Sequence, residues 1–138
     1  MTSYRSVEFV PGWTARAREG RDDTIVISIN NSFDPVNELK PGWRDVLVLQ
    51  FDDVSSLSHN LIRFSRSHAE QVIAFLRRHE QDTAHVLVHC VAGEKRSAAV
   101  AKVVAKLYSL EFPADYDKHH EWVYHVFARV LRFEDAFA

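Results

Sequence analysis

The chain has 138 residues, 46% of them apolar, which is enough to build a hydrophobic core without metals or disulfides. Seventeen Lys and Arg against nineteen Asp and Glu leave a net charge of −2, with the signs interspersed. An electrostatically driven nucleic-acid partner is therefore not expected. The single cysteine, Cys90, has no intramolecular disulfide partner, so a reducing cytoplasmic compartment is expected. The N-terminus lacks an apolar signal-peptide core, no apolar run reaches the length of a spanning helix, and the terminal residues 134–138 carry no prenylation cysteine. No membrane association is expected, and the chain reads as one domain over residues 1–138, without repeats or linkers, acting as a monomer.

Before residue 24 the pattern is weak, and an edge strand or hairpin is expected there. Thr24 to Ile29 is a short β-branched run closed by Asn30-Asn31 and reads as a buried strand. Asp45 to Phe51 repeats the pattern after Pro41-Gly42 and runs into a polar loop, 52–60. Ser67 with Glu70 three residues later reads as a capping box, and Ala69, Val72, Ile73 and Leu76 follow at helical spacing, predicting a helix over about 68–80. His85 to His89 is a third strand, and Val100, Val103, Val104 and Leu107 mark a second helix. Beyond Pro113, the spacing of Trp122, Val123, Val126, Phe127, Val130 and Leu131 predicts a third. The order predicts an α/β fold, a central, mostly parallel sheet flanked by helices.

Between the third strand and the second helix the sequence reads His89-Cys90-Val91-Ala92-Gly93-Glu94-Lys95-Arg96-Ser97, or His-Cys-x5-Arg-Ser. A strand-to-helix loop aims successive backbone N–H groups at one point, and the helix adds the positive end of its dipole, which together make an anion cradle. Gly93 supplies the backbone freedom of a tight loop. The same field favours thiolate over thiol at Cys90, and the thiolate is the nucleophilic form. Arg96 can present its planar fork to two phosphate oxygens, and Ser97 can donate its hydroxyl to a departing thiolate. A buried, inert cysteine is the alternative reading of Cys90, and it leaves Gly93 and Arg96 without a purpose.

The string Val-Leu-Val-His-Cys-Val-Ala-Gly-Glu-Lys-Arg-Ser-Ala-Ala-Val, residues 86–100, resembles the signature loop of the cysteine-dependent protein tyrosine phosphatase superfamily, in particular its small, bacterial-type dual-specificity branch. The resemblance is close over 85–104 and looser over the element order from residue 24. It implies a tyrosine phosphatase-like fold and hydrolysis of phosphate monoesters through a phosphocysteine, without cofactor or metal. Cys90 would attack phosphorus, and Arg96 with the amides of Val91, Ala92, Gly93, Glu94, Lys95 and Arg96 itself would hold the equatorial oxygens. His89 would order the loop and Ser97 would assist the leaving thiolate. The family's general acid sits on the loop after the strand preceding the capped helix, here Phe51-Asp52-Asp53-Val54-Ser55-Ser56. Asp53, followed by Val54, matches the family better, and Asp52 is the alternative. The loop lacks the Trp-Pro-Asp found in many tyrosine phosphatases. The substrate implied is a phosphorylated protein, phosphotyrosine first and phosphoserine or phosphothreonine second. Phosphoinositides, RNA or nucleotide phosphates, a non-catalytic phosphate-binding module and a rhodanese-type sulfurtransferase are the competing readings, and Glu94 beside Lys95 argues against an inositol-lipid preference.

His119, His120 and His125 fall near or on the last helix and read as polar helix-face side chains rather than metal ligands, because His120 and His125 lack the i, i+4 spacing. Arg63, Arg66, Arg77 and Arg78 form a local basic surface, read mainly as a solvated face. Trp13, Trp43 and Trp122 read as core or rim anchors.

Overall fold

Four parallel strands form one sheet in the order β1-β4-β2-β3. The computed structural model describes residues 2–36 and 38–132; the segment 134–138, read above for a prenylation signal, lies outside them. The elements are β1 (Ser6–Pro11), α1 (Gly12–Ala17), β2 (Thr24–Asn30), β3 (Asp45–Gln50), α2 (Arg66–His79), β4 (His85–Cys90), α3 (Arg96–Tyr108) and α4 (Glu121–Leu131). The expected α/β fold, a central parallel sheet flanked by helices, is thus present. No helix among the described residues is long and apolar enough to cross a membrane.

β2 is buried along its whole length because it lies between β4 and β3 with side chains covered on both faces. That is why its sequence is a continuous apolar run rather than an alternation. The register pairs Ile25 with Val86 and Ile27 with Val88, and this face carries the larger core, which includes Phe75 and Leu76 of α2, Val100 and Val104 of α3, and Val123 and Phe127 of α4. On the other face Val26 and Leu87 pair and pack with Val10, Ala15 and the half-buried Trp43. The N-terminal segment takes the edge-strand alternative: β1 pairs with β4 and turns directly into α1, a short helix that the sequence pattern does not reveal.

The start of α2 differs from the expected one. The helix begins at Arg66 and its N-cap is Ser65, with a box closed by His68, not by Ser67 and Glu70. The Ser65 N–H donates to His68 Nδ1 at 3.0 Å, and the His68 N–H reaches back to Ser65 Oγ at 3.5 Å. Burial of Phe64 and Ala69, either side of this turn, decides between the two serines, since an apolar pair at those positions sets where the chain enters the helix. Glu70 instead accepts from Arg66 at 3.2 Å.

Candidate active site

All four strands point their C-terminal ends at the same edge of the sheet, the place where open parallel sheets bind ligands. Cys90 ends β4 there, between the edge strand β1 and the fully buried β2. It is 2% exposed, yet its sulfur faces polar partners: the Gly93 N–H donates to Sγ at 3.2 Å, and Ser97 Oγ lies 3.1 Å away. The helix α3 starts at Arg96, directly after this loop.

The loop's shape depends on Gly93. Its φ is +75°, and a Cβ placed on it would lie 2.3 Å from Pro11 N and 2.6 Å from the Val10 carbonyl carbon. The loop therefore lies directly on the end of β1, where the Gly12 N–H also donates to Val91 O at 3.1 Å. Val91, Ala92, Glu94 and Lys95 are exposed around it, while Arg96 and Ser97 are buried. Arg96 donates through Nη1 to Phe51 O at 2.7 Å, and its guanidinium carbon lies 5.9 Å from the Phe51 ring centroid. That contact anchors the arginine to the loop that carries the two aspartates.

His89 is fully buried. Its Nδ1 lies 3.4 Å from the Cys90 carbonyl oxygen, which can only accept, so Nε2 accepts from the Ser28 hydroxyl at 2.7 Å. Asn30 in turn donates to Ser28 Oγ at 3.1 Å. Burial pushes the His89 imidazole below its ordinary range, with the charge of Arg16 adding to the effect, and so keeps the ring neutral. The chain Asn30–Ser28–His89 fixes the backbone on which Cys90 sits.

The two aspartates have different surroundings. Asp52 is 6% exposed and accepts three hydrogen bonds: from the Ser32 N–H at 2.9 Å, from the Ser32 hydroxyl, and from the Ile62 N–H at 2.8 Å. Burial opposes its ionisation, but these donors and the charge of Arg96 outweigh that, and its carboxyl lies below the usual carboxylate range. Asp52 thus clips the loop after β3 to the loop after β2 and to the approach to α2. Asp53 has a half-exposed side chain, with Oδ1 3.2 Å from His120 Nε2.

His120 departs from its sequence reading. It and His119 precede α4 instead of lying on its face, and His120 is the buried N-cap, 8% exposed, with Nδ1 accepting from the Val123 N–H at 3.3 Å. Its own N–H donates to Lys95 O at 3.0 Å, which joins the start of α4 to the residue before Arg96. Tyr116, from the same connection, donates its hydroxyl to Glu94 O. Sequence reasoning missed His120, Tyr116, Ser28, Asn30 and Ser32. Histidine is outside the usual N-cap set, and the others act through contacts distant in sequence.

Of the basic residues on and before α2, Arg63 covers the Trp122 ring at 4.1 Å, Arg66 pairs with Glu70, and Arg78 lies 3.7 Å from Asp45. Trp122 donates to Phe64 O at 2.9 Å, as an anchor. Trp13 is 67% exposed and lines a groove of about 260 Å³ with Val91 and Asn30, a rim position rather than a core one. Among the described residues, no group of three or more His, Cys, Asp or Glu side chains is arranged to hold a metal ion. No protein-family model matches this chain, and no curated protein matches it.

Proposed function

We propose that the protein is a cysteine-dependent phosphatase that hydrolyses phosphate monoesters of phosphorylated proteins, phosphotyrosine first and phosphoserine or phosphothreonine second, through a phosphocysteine. The observation that carries this reading is the Cys90 sulfur in contact with the Gly93 N–H and Ser97 hydroxyl at the N-terminus of α3, whose first residue is the buried Arg96. An inert core cysteine needs none of these. The contrast between the aspartates supports Asp53 as the acid: Asp52 is occupied by three donors, whereas Asp53 is accessible to a substrate.

In the first step the Cys90 thiolate attacks phosphorus in line, the S–P bond forms, and the P–O bond to the alcohol or phenol breaks. Protonated Asp53 gives its proton to the departing oxygen. In the second, water attacks phosphorus while Asp53 carboxylate takes a proton from it, and the S–P bond breaks to release phosphate and thiolate. Ser97 stabilises that leaving thiolate. Arg96 and the amides of 91–96 stabilise the charge on the three equatorial oxygens in both transition states. His89 keeps the loop in shape and takes no proton. A monomeric, cytoplasmic protein fits this chemistry, because a reducing compartment preserves a nucleophilic thiol.

The test is release of nitrophenol from para-nitrophenyl phosphate between about pH 5 and 7 with EDTA present, comparing wild type, Cys90→Ser and Asp53→Ala. Metal-independent turnover abolished by Cys90→Ser is expected. Full activity in Cys90→Ser refutes the reading, and vanadate binding without turnover points to a phosphate-binding module. Phosphotyrosine peptide assayed beside inositol phospholipids then decides the substrate class.

A further inference from the structure

We propose that His120 is the positioning residue of the acid loop, donating from Nε2–H to Asp53 Oδ1 so that Oδ2 is the oxygen that exchanges a proton with substrate and water. This rests on the phosphatase reading and assigns to the N-cap of α4 a part in that reaction. The cap fixes which ring nitrogen carries the proton, and Asp53 is the carboxylate that nitrogen approaches. Nδ1 of His120 accepts from the Val123 N–H at 3.3 Å, so in the neutral ring the proton is on Nε2, 3.2 Å from Asp53 Oδ1. Burial holds the imidazole below its ordinary range; Arg96 and Lys95 act in the same direction, and Asp53 and Glu121 oppose them. Protonating the ring on Nδ1 would also forfeit the cap.

A neutral donor suits an acid that alternates between two states. A lysine or arginine in this place would favour the carboxylate and hinder the protonated form that the first step consumes. The histidine N–H can donate to Oδ1 when Asp53 is a carboxylic acid, leaving Oδ2–H for the departing oxygen. It donates to the same oxygen when Asp53 is the carboxylate that takes a proton from water. One bond therefore serves both half-reactions. The backbone of His120 is tied to the phosphate loop: its N–H donates to Lys95 O at 3.0 Å, and the same carbonyl accepts the Ala99 N–H of α3 at 3.0 Å. One residue at the start of α4 therefore touches both the loop that carries Asp53 and the residue before Arg96.

Two substitutions separate the two roles of this side chain. His120→Asn keeps a good N-cap acceptor near Nδ1 but is too short to reach Asp53. His120→Gln is a poor cap but places an amide donor near the position of Nε2. We expect His120→Asn to melt close to wild type and to lose about 10- to 100-fold in kcat on a phosphotyrosine peptide with little change in KM, within the contribution of a general acid. The loss should be smaller on para-nitrophenyl phosphate, whose leaving group needs less protonation. His120→Gln should melt lower yet recover most of kcat. In an Asp53→Ala background His120→Asn should add nothing further. Wild-type kcat in His120→Asn on the phosphotyrosine peptide, or kcat losses that track melting temperature across both variants, overturns the proposal while leaving the phosphatase reading intact. A wild-type protein without turnover on any phosphate ester overturns both.

Discussion

Gly93→Ala tests whether the loop around Cys90 is the rigid cradle that the proposed reaction needs. Two costs add. The φ of +75° lies in the left-handed region, where a Cβ costs roughly 1 kcal/mol. The new methyl would also sit 2.3 Å from Pro11 N and 2.6 Å from the Val10 carbonyl carbon, and these are backbone atoms that no rotamer change can move. Relief requires lifting the loop off β1, which strains or breaks the Gly12 N–H to Val91 O bond of 3.1 Å and draws the Gly93 N–H away from Cys90 Sγ. Overpacking of this kind costs about 1–3 kcal/mol, giving about 2–4 kcal/mol in all. For a chain of this length that is a fall in melting temperature on the order of 8–16 °C. Urea denaturation with and without vanadate measures both consequences, because a lifted loop loses oxyanion affinity as well as stability. A variant with wild-type stability and wild-type vanadate affinity would falsify the reasoning about this loop.

Three further predictions follow from the same network. Asp52→Asn replaces a carboxylate serving three donors and should cost about 2–4 kcal/mol near neutral pH. Because the folded-state value of Asp52 is lowered, its stabilisation is present above the unfolded value near 3.9 and is lost as pH falls through the folded one. The stability gap between wild type and Asp52→Asn should therefore close below about pH 4, and a gap that stays constant there contradicts the assignment. His89 and His120 are lowered by burial, so their unfolded forms take up protons first, and stability should fall as pH drops below about 6.5. Urea midpoints at pH 7 and 5 check this, with a shallower decline expected in His89→Gln. Ser97→Ala removes the hydroxyl 3.1 Å from Cys90 Sγ and should slow phosphocysteine breakdown more than its formation. Rapid-quench assays should show a burst of released alcohol, and a steady state without a burst counts against that role.

The arrangement of the loop around Cys90 was legible because it is local. Strand, His-Cys-x5-Arg-Ser and helix occupy one continuous stretch, and both the direction of the α3 N-terminus and the need for a glycine at 93 follow from that stretch alone. The central strands were legible too, since β2 and β4 must be apolar on both faces to lie inside a parallel sheet. The start of α2 was misread because Ser65 and Ser67 are equally good caps in isolation, and only the burial of Phe64 separates them. Likewise, adjacent aspartates are indistinguishable by composition. Tertiary structure gives Asp52 to Ser32 and Ile62 and Asp53 to His120, because the loop after β3 meets the loop after β2 on one side and the start of α4 on the other. The environment of Cys90 was written into consecutive residues, whereas the partner of Asp53 depended on where a helix far along the chain begins. Backbone direction and local charge propagate along a few bonds, but side-chain partners across loops exist only once the core has set the distances between them.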